Sequence, residues 1–309
     1  MIDNREAVKE MEYIMETRQL TKKFGNKLAV DHVDMHIRKG DIYGLIGKNG
    51  AGKTTIMRMM LSLAFPTSGE IFFNGQPSSG VSDIRIGSLI ESPGIFKSYS
   101  AEDNLKTFCT LYGIDTSVID PILRVVGLAD TGKKKAGQFS LGMKQRLGIA
   151  ISLLAEPELI ILDEPVNGLD PAGIKDVRDL VIKLNREKGV TFIISSHLLD
   201  ELSKMVTKYG IINNGVLLEE IDAAELENRT SHRMIITVSD PLASANLIAT
   251  VIPPQEITIA GNQVIINAHF EESARFNKML VENGIWVSAL ELKSDGVEQY
   301  YMQAMGDMR

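Results

Sequence analysis

One run of eight residues constrains this chain most: Gly47-Lys48-Asn49-Gly50-Ala51-Gly52-Lys53-Thr54. It matches G-x-x-x-x-G-K-[ST] at every defined position. The apolar stretch IYGLI precedes it, and TTIMRMMLSLA follows with helical spacing. A glycine-rich loop between a strand and a helix can turn successive backbone N–H groups inward on phosphate oxygens. In such a loop Lys53 bridges the β- and γ-phosphates and the Thr54 hydroxyl ligates Mg²⁺. Gly47 to Thr54, with Thr55 beside them, are therefore the candidate nucleotide-binding residues. The loop also dictates a strand–loop–helix unit, and with it an α/β fold.

A second segment supplies what the first lacks. LIILDEP, residues 159–165, is a short apolar run of the kind buried on both faces of a parallel sheet. It puts Asp163 at a strand tip, where a carboxylate serves as a water-mediated Mg²⁺ ligand. Glu164 follows and is placed to polarise an attacking water. Together the two segments predict binding of a nucleoside triphosphate with Mg²⁺, and its hydrolysis.

The rest of the chain is consistent with such an enzyme. Its 309 residues are 44% hydrophobic, enough for a real core in one large or two smaller domains. A net charge of -7 argues against binding nucleic acid by bulk attraction. The single cysteine, Cys109, permits no internal disulfide and reads as a small buried hydrophobe. No apolar run approaches the roughly 20 residues that span a bilayer. The N-terminal MIDNREAVKEMEYIM has no signal-peptide core. A cytoplasmic protein is expected, with any membrane role exercised through a partner.

Along the chain, residues 1–12 read as a polar extension. Strand patterns follow in YIMETRQLTKKF, KLAVDHVDMHI, DIYGLIG, GEIFFNG and IRIGSLIE, then a helical stretch from about Ala101 to Glu156. After LIILDEP come the helix IKDVRDLVIKLNREK stopped at Gly189, the buried strand VTFIISSH, the helical LLDELSKMV and a hairpin through NNG. Strands alternating with helices predict a mostly parallel sheet. Near Arg229 the texture changes to β-α-β-β-α-β, the order of a ferredoxin-like unit, with its hairpin turn at Gly261-Asn262. DGVEQYYMQAMG reads as a terminal helix. The expected domains are 13–228, with a helical subdomain at about 92–156, and an α+β accessory domain at 229–309.

FSLGMKQRLGIA, residues 139–150, is a puzzle within this frame. Ser140 and Gly142 open what reads as another anion-binding helix start, far from the phosphate loop. The order of motifs answers it. The loop at 47–54, FSLGMKQR at 139–146, LIILDEP at 159–165, NGLD at 167–170 and SSH at 195–197 together resemble the nucleotide-binding subunit of ATP-binding-cassette (ABC) transporters. The resemblance covers roughly 13–228. FSLGM stands where the family signature is commonly L-S-G-G-Q, with Leu141 for the first Gly and Met143 for Gln. The variant is similar to the exporting branch for bacitracin, lantibiotics and daunorubicin.

The resemblance implies a P-loop cassette with a mostly parallel sheet, an antiparallel β portion and a helical subdomain. It implies a head-to-tail homodimer in which Ser140 and Gly142 cap the γ-phosphate of ATP held by the partner's loop. It makes His197 the switch histidine, Asp170 the D-loop aspartate and Phe24 the aromatic stacked on adenine. Glu91 stands where the family has the switch-loop Gln, so it becomes an expected Mg²⁺ ligand beside Thr54 and Asp163. Separate membrane-spanning permease subunits are implied, with this chain peripheral on the cytoplasmic face of the membrane and no nucleic-acid partner. The alternative is a soluble ABC ATPase acting on ribosomes or chromosomes. It is disfavoured by a single cassette, the acidic balance, and the absence of sustained heptads in the roughly ninety residues between loop and signature. Lys133, Lys134 and Lys135 read as a solvated face, and His32, His36, His232 and His269 show no ligand spacing.

Overall fold

The computed structural model describes residues 13–78, 84–229, 232–267, 269–294 and 300–302. The expected extension at 1–12 lies outside them, as does most of the expected terminal helix over 295–306. The chain divides into two compact units, 1–223 and 224–309.

The first unit contains β1 (Tyr13–Phe24), β2 (Lys27–Arg38), β3 (Ile42–Ile46), α1 (Lys53–Met60), β4 (Ser68–Phe73), β5 (Gln76–Pro77) and β6 (Ile86–Leu89). Three helices follow: α2 (Ala101–Tyr112), α3 (Ile119–Val125) and α4 (Leu141–Leu153). Then come β7 (Leu159–Asp163), α5 (Pro171–Lys188), β8 (Thr191–Ser196), α6 (Leu199–Leu202), β9 (Lys208–Asn213) and β10 (Val216–Asp222). The helix α6 is shorter than LLDELSKMV suggested.

Two sheets organise this unit. The six-stranded sheet has the order β10-β9-β3-β8-β7-β6 and is parallel except for the β9–β10 hairpin. Every residue of β3, β7 and β8 is buried, which is why these strands read as unbroken apolar runs. All three end in segments that carry candidate site residues, at the C-terminal ends where open α/β sheets bind ligands. The second sheet, β2-β1-β4-β5, is antiparallel and packs a core that includes Met15, Leu20, Met35 and Ile56. Truncating such residues typically costs about 2–5 kcal/mol.

A partly buried polar knot ties the strands at the end away from the phosphate loop. The Tyr43 hydroxyl donates to Glu220 Oε1 at 2.9 Å, and His36 meets the same carboxylate through its backbone N–H and Nδ1. Lys208 Nζ lies 3.4 Å from Glu220. Burial and the Glu220 charge push the Tyr43 phenol well above its ordinary value.

The helical portion begins with a capping box. Ser100 accepts from the Asp103 N–H, and the Asp103 carboxylate reaches back to the Ser100 N–H and hydroxyl. Cys109 is fully buried on α2, and burial pushes its thiol up, as suits an inert residue.

The chain continues through α7 (Ala223–Arg229) to β11 (His232–Val238), α8 (Pro241–Ile248), β12 (Ile257–Ala260), β13 (Gln263–Ile266), α9 (Ser273–Glu282) and β14 (Val287–Ser294). The last sheet is antiparallel throughout, in the order β12-β13-β11-β14. That is the ferredoxin-like arrangement. Its core includes Met234, Ile236, Val264, Ile266, Phe276 and Leu280.

Candidate active site

The phosphate loop joins β3 to α1. Its glycines are required by space and by backbone conformation. A Cβ on Gly47 would stand 2.5 Å from the Ile212 carbonyl oxygen. Gly52 has φ +112°, and a Cβ there would meet the Ala29 carbonyl at 2.6 Å. Gly52 is also the N-cap of α1 and offers no side-chain acceptor, so the helix start keeps its N–H groups for an external anion. The Lys53 ammonium is buried, 2.6 Å from the Gly47 carbonyl oxygen and 3.3 Å from Glu164 Oε1.

Gly50, Ala51, Gly52, Lys53 and Thr54 line an open cleft of about 350 Å³ together with Phe24, Lys27, Ala29, Asn49, Thr55 and Glu164. Phe24 ends β1 with 55% of its surface exposed, and Lys22 Nζ lies 5.1 Å from its ring centre. An exposed aromatic at the mouth of a phosphate cleft offers a stacking face for a base.

On the carboxylate side, the Thr54 hydroxyl donates to Asp163 Oδ2 at 2.8 Å, joining α1 to the tip of β7. Ser195 on β8 donates to Asp163 Oδ1 at 2.6 Å and accepts from the Glu164 N–H at 2.9 Å. Glu164 Oε2 lies 2.7 Å from His197 Nδ1. Its Oε1 is buried and has no directed hydrogen bond, only the ionic contact with Lys53. Glu164 itself has φ +50°, a left-handed conformation uncommon for a residue with a side chain. Thus Lys53, Thr54, Asp163, Glu164 and His197, drawn from three separate segments, converge at one end of the sheet.

Glu91 stands apart from this cluster. It lies two residues beyond β6 and pairs with Arg58 on α1. Arg58 follows Thr54 by one helical turn, so Glu91 flanks the same helix below the loop. The Ser92 N–H donates to the Ile90 carbonyl around it at 2.8 Å, with Glu91 at φ +63°. This is a strained γ-turn, and such strain clusters at switch points. Among the described residues, no group of three or more His, Cys, Asp or Glu side chains is gathered for a metal.

Ser140 and Gly142 do not line the cleft. Ser140 is the N-cap of α4 and accepts from the Met143 N–H at 3.2 Å, with its side chain at the surface. A Cβ on Gly142 would stand 3.5 Å from the Gly173 Cα and one on Gly168 would stand 3.4 Å from the Leu141 side chain, so the α4 start packs on the segment leading into α5. Asp170 caps α5 by accepting from the Gly173 N–H at 3.0 Å. Two helix starts therefore lie side by side, outside the cleft that the phosphate loop lines.

Sequence reasoning missed Arg58 and gave Ser195 no role. The only signal for Ser195 was a hydroxyl at the end of a buried strand.

The comparisons with known proteins agree with this geometry. A family model described as ABC transporter matches residues 30–167. The bacitracin transport ATP-binding protein BcrA of Bacillus licheniformis is 42% identical over 96% of this chain and 98% of its own length. The chain belongs to the ABC transporter ATP-binding family. As a cassette of that family it binds and hydrolyses ATP. The lantibiotic transport ATP-binding protein SrtF of Streptococcus pyogenes is 45% identical, over 69% of this cassette protein and 93% of SrtF. Among solved structures, an ATP-binding cassette of an ABC transporter in its ADP conformation superposes with a TM-score of 0.63 at 25% identity, over 71% of this chain and 94% of that one. No helix of the described residues is long and apolar enough to cross a membrane.

Proposed function

We propose that the cassette acts as a homodimer that sandwiches two ATP molecules and drives separate membrane-spanning subunits to export a peptide antibiotic. One observation carries the dimer. The chain has a complete phosphate loop and a variant signature helix start, yet Ser140 and Gly142 are not among the residues lining the cleft that Lys53 and Thr54 line. A twofold axis pairs each loop with the partner's signature and makes both sites alike. Closure must favour the dimer by several kcal/mol, about 5.5 to reverse a hundredfold population bias, and contacts to ATP from both chains supply it.

The donor set fits Mg²⁺. Thr54 Oγ1 and the Asp163 carboxylate are hard oxygen donors beside the loop and would hold the ion there. When bound, it neutralises charge on the β- and γ-phosphates. The chain's own residues do the rest. Lys53 leaves its internal carbonyl partners for phosphate oxygens. Glu164 Oε1 accepts a proton from the attacking water as the water oxygen bonds to the γ-phosphorus. The bond to the β,γ-bridging oxygen breaks, giving ADP and phosphate. His197 holds Glu164 in orientation through Oε2. Phe24 stacks on the adenine, and Asp170 links its site to the partner's. Glu91, paired with Arg58 here, would be the switch-loop carboxylate that could turn toward the metal side of the site.

Relatives named for bacitracin and lantibiotic transport support a peptide antibiotic as cargo and a place on the cytoplasmic face of the membrane. They do not favour the ribosomal or chromosomal alternative. The test is cellular: the chain is expressed with its membrane-spanning partner in a sensitive host and challenged with bacitracin, a lantibiotic and daunorubicin. Protection against a peptide, absent with Lys53→Ala, is expected. Protection against none of the three would contradict the cargo assignment.

A further inference from the structure

The register of the parallel sheet places Ser195 opposite Asp163 across β7 and β8, and opposite Leu45 across β8 and β3. Ser195 is fully buried. Its one hydroxyl proton goes to Asp163 Oδ1 at 2.6 Å, and its oxygen accepts the Glu164 N–H at 2.9 Å. The hydroxyl thus touches the candidate metal carboxylate and the backbone of the candidate base at once. It sits between them at the end of the strand that leads to His197.

We infer that Ser195 is a positioning residue for ATP hydrolysis, coupling the orientation of the metal-side carboxylate to that of the general base. This inference rests on the roles proposed above for Asp163 and Glu164.

Two consequences follow from the contacts. With Oδ1 held by Ser195, the rotation of the Asp163 carboxylate is set, and Oδ2 is left facing Thr54 at 2.8 Å. A ligand carboxylate fixed by a neighbouring hydrogen bond holds its metal more tightly than a free one. On the other side, Glu164 must remain at φ +50° for its two oxygens to meet His197 and Lys53. That conformation is disfavoured for any residue with a Cβ. The Ser195 oxygen anchors its N–H and holds it there. Ser195 is fully buried, so removal of its hydroxyl leaves the Glu164 N–H without that acceptor.

The test compares Ser195→Ala, Ser195→Thr and Ser195→Val in the full chain. Threonine retains the hydroxyl; valine has the same shape without it. Two quantities are read: steady-state ATP turnover, and the Mg²⁺ concentration that half-saturates binding of a fluorescent ATP analogue. The second does not depend on turnover. Ser195→Ala and Ser195→Val are expected to lower kcat by about 10- to 100-fold and to raise the half-saturating Mg²⁺ by about 10-fold, with analogue affinity in EDTA unchanged. Ser195→Thr is expected to recover most of both. If Ser195→Ala fails to fold, the Thr–Val comparison decides. Equal behaviour of Thr and Val, or Ala and Val variants with parental kcat and Mg²⁺ dependence, would overturn the inference. A parent chain that does not hydrolyse ATP would break the underlying reading; an active parent matched by Ser195→Ala breaks this inference alone.

Discussion

His197 Nδ1 lies 2.7 Å from Glu164 Oε2, although 33 residues separate them in the chain. The contact exists because β7 and β8 are parallel neighbours whose C-terminal ends reach the same edge of the sheet. It places a ring nitrogen on one carboxylate oxygen and leaves the other, Oε1, toward Lys53. Replacing His197 by Ala is predicted to lower kcat by at least about 10²-fold, because Glu164 loses the contact that orients it as general base, while changing ATP affinity little. Steady-state kinetics beside equilibrium binding of a fluorescent analogue checks this; a loss confined to KM would assign His197 to binding instead.

Lys53→Ala removes the buried cation from the loop and from Glu164. The expected result is loss of productive ATP binding, seen as the absence of an ATP-dependent rise in Tm. Unchanged ATPase activity in that variant would falsify the nucleotide assignment.

Ser140→Arg puts a long cation at the exposed start of α4, away from the cleft of its own chain. Monomer affinity for ATP is predicted to stay within about threefold of the parent, while ATP-dependent dimerisation and turnover are lost. Isothermal titration in dilute protein, followed by light scattering, separates the two. If monomer binding disappears, the signature does not act in trans.

Glu91→Ala breaks the pair with Arg58 and removes the loop carboxylate. It is predicted to retain ATP binding but lose most protection of cells against the exported compound. Glu91→Gln is predicted to be milder, since one acceptor oxygen remains. The pair is half exposed on both sides and is worth about 0–1 kcal/mol, so a large drop in Tm is not expected. Full protection by Glu91→Ala would sink the switch-loop role.

Much of this site was legible in the chain because its chemistry is local. Gly47 to Thr54 carries its own strand and helix flanks, and Asp163-Glu164 announces itself by ending an apolar run. The ferredoxin-like order of the second unit was equally readable from hairpin and helix signals such as Gly261 and Gly284. What was hidden depends on register between distant strands. Nothing near Ser195 says that Asp163 will stand beside it, because that follows from the pairing of β7 with β8. Likewise the Arg58 partner of Glu91 comes from helix phase against a loop 33 residues away. The brevity of α6 was missed because LLDELSKMV has helical spacing that the turn into β9 cuts short.

The Ser100–Asp103 capping box makes an acid-side prediction. Hydrogen bonds from Ser100 hold the Asp103 carboxyl below its ordinary value of 3.8. Its folded-state value is thus depressed, so its stabilisation is present above the unfolded value and is lost as pH falls through the folded one. Urea melts should show Ser100→Ala less stable than the parent near neutral pH, with the gap narrowing as pH drops toward about 3. A gap that widens on acidification would contradict the assignment.

The composite ATP site is the central claim, and Glu164→Gln addresses it most directly. The amide keeps the shape of the side chain but cannot take the proton from water, so ATP binds and is not consumed. Light scattering after size-exclusion chromatography, with ATP and Mg²⁺ in the buffer, is predicted to show Glu164→Gln as a dimer. Without nucleotide, or with ADP, the same protein should run as a monomer. A Glu164→Gln protein that binds ATP and yet remains strictly monomeric would contradict the account.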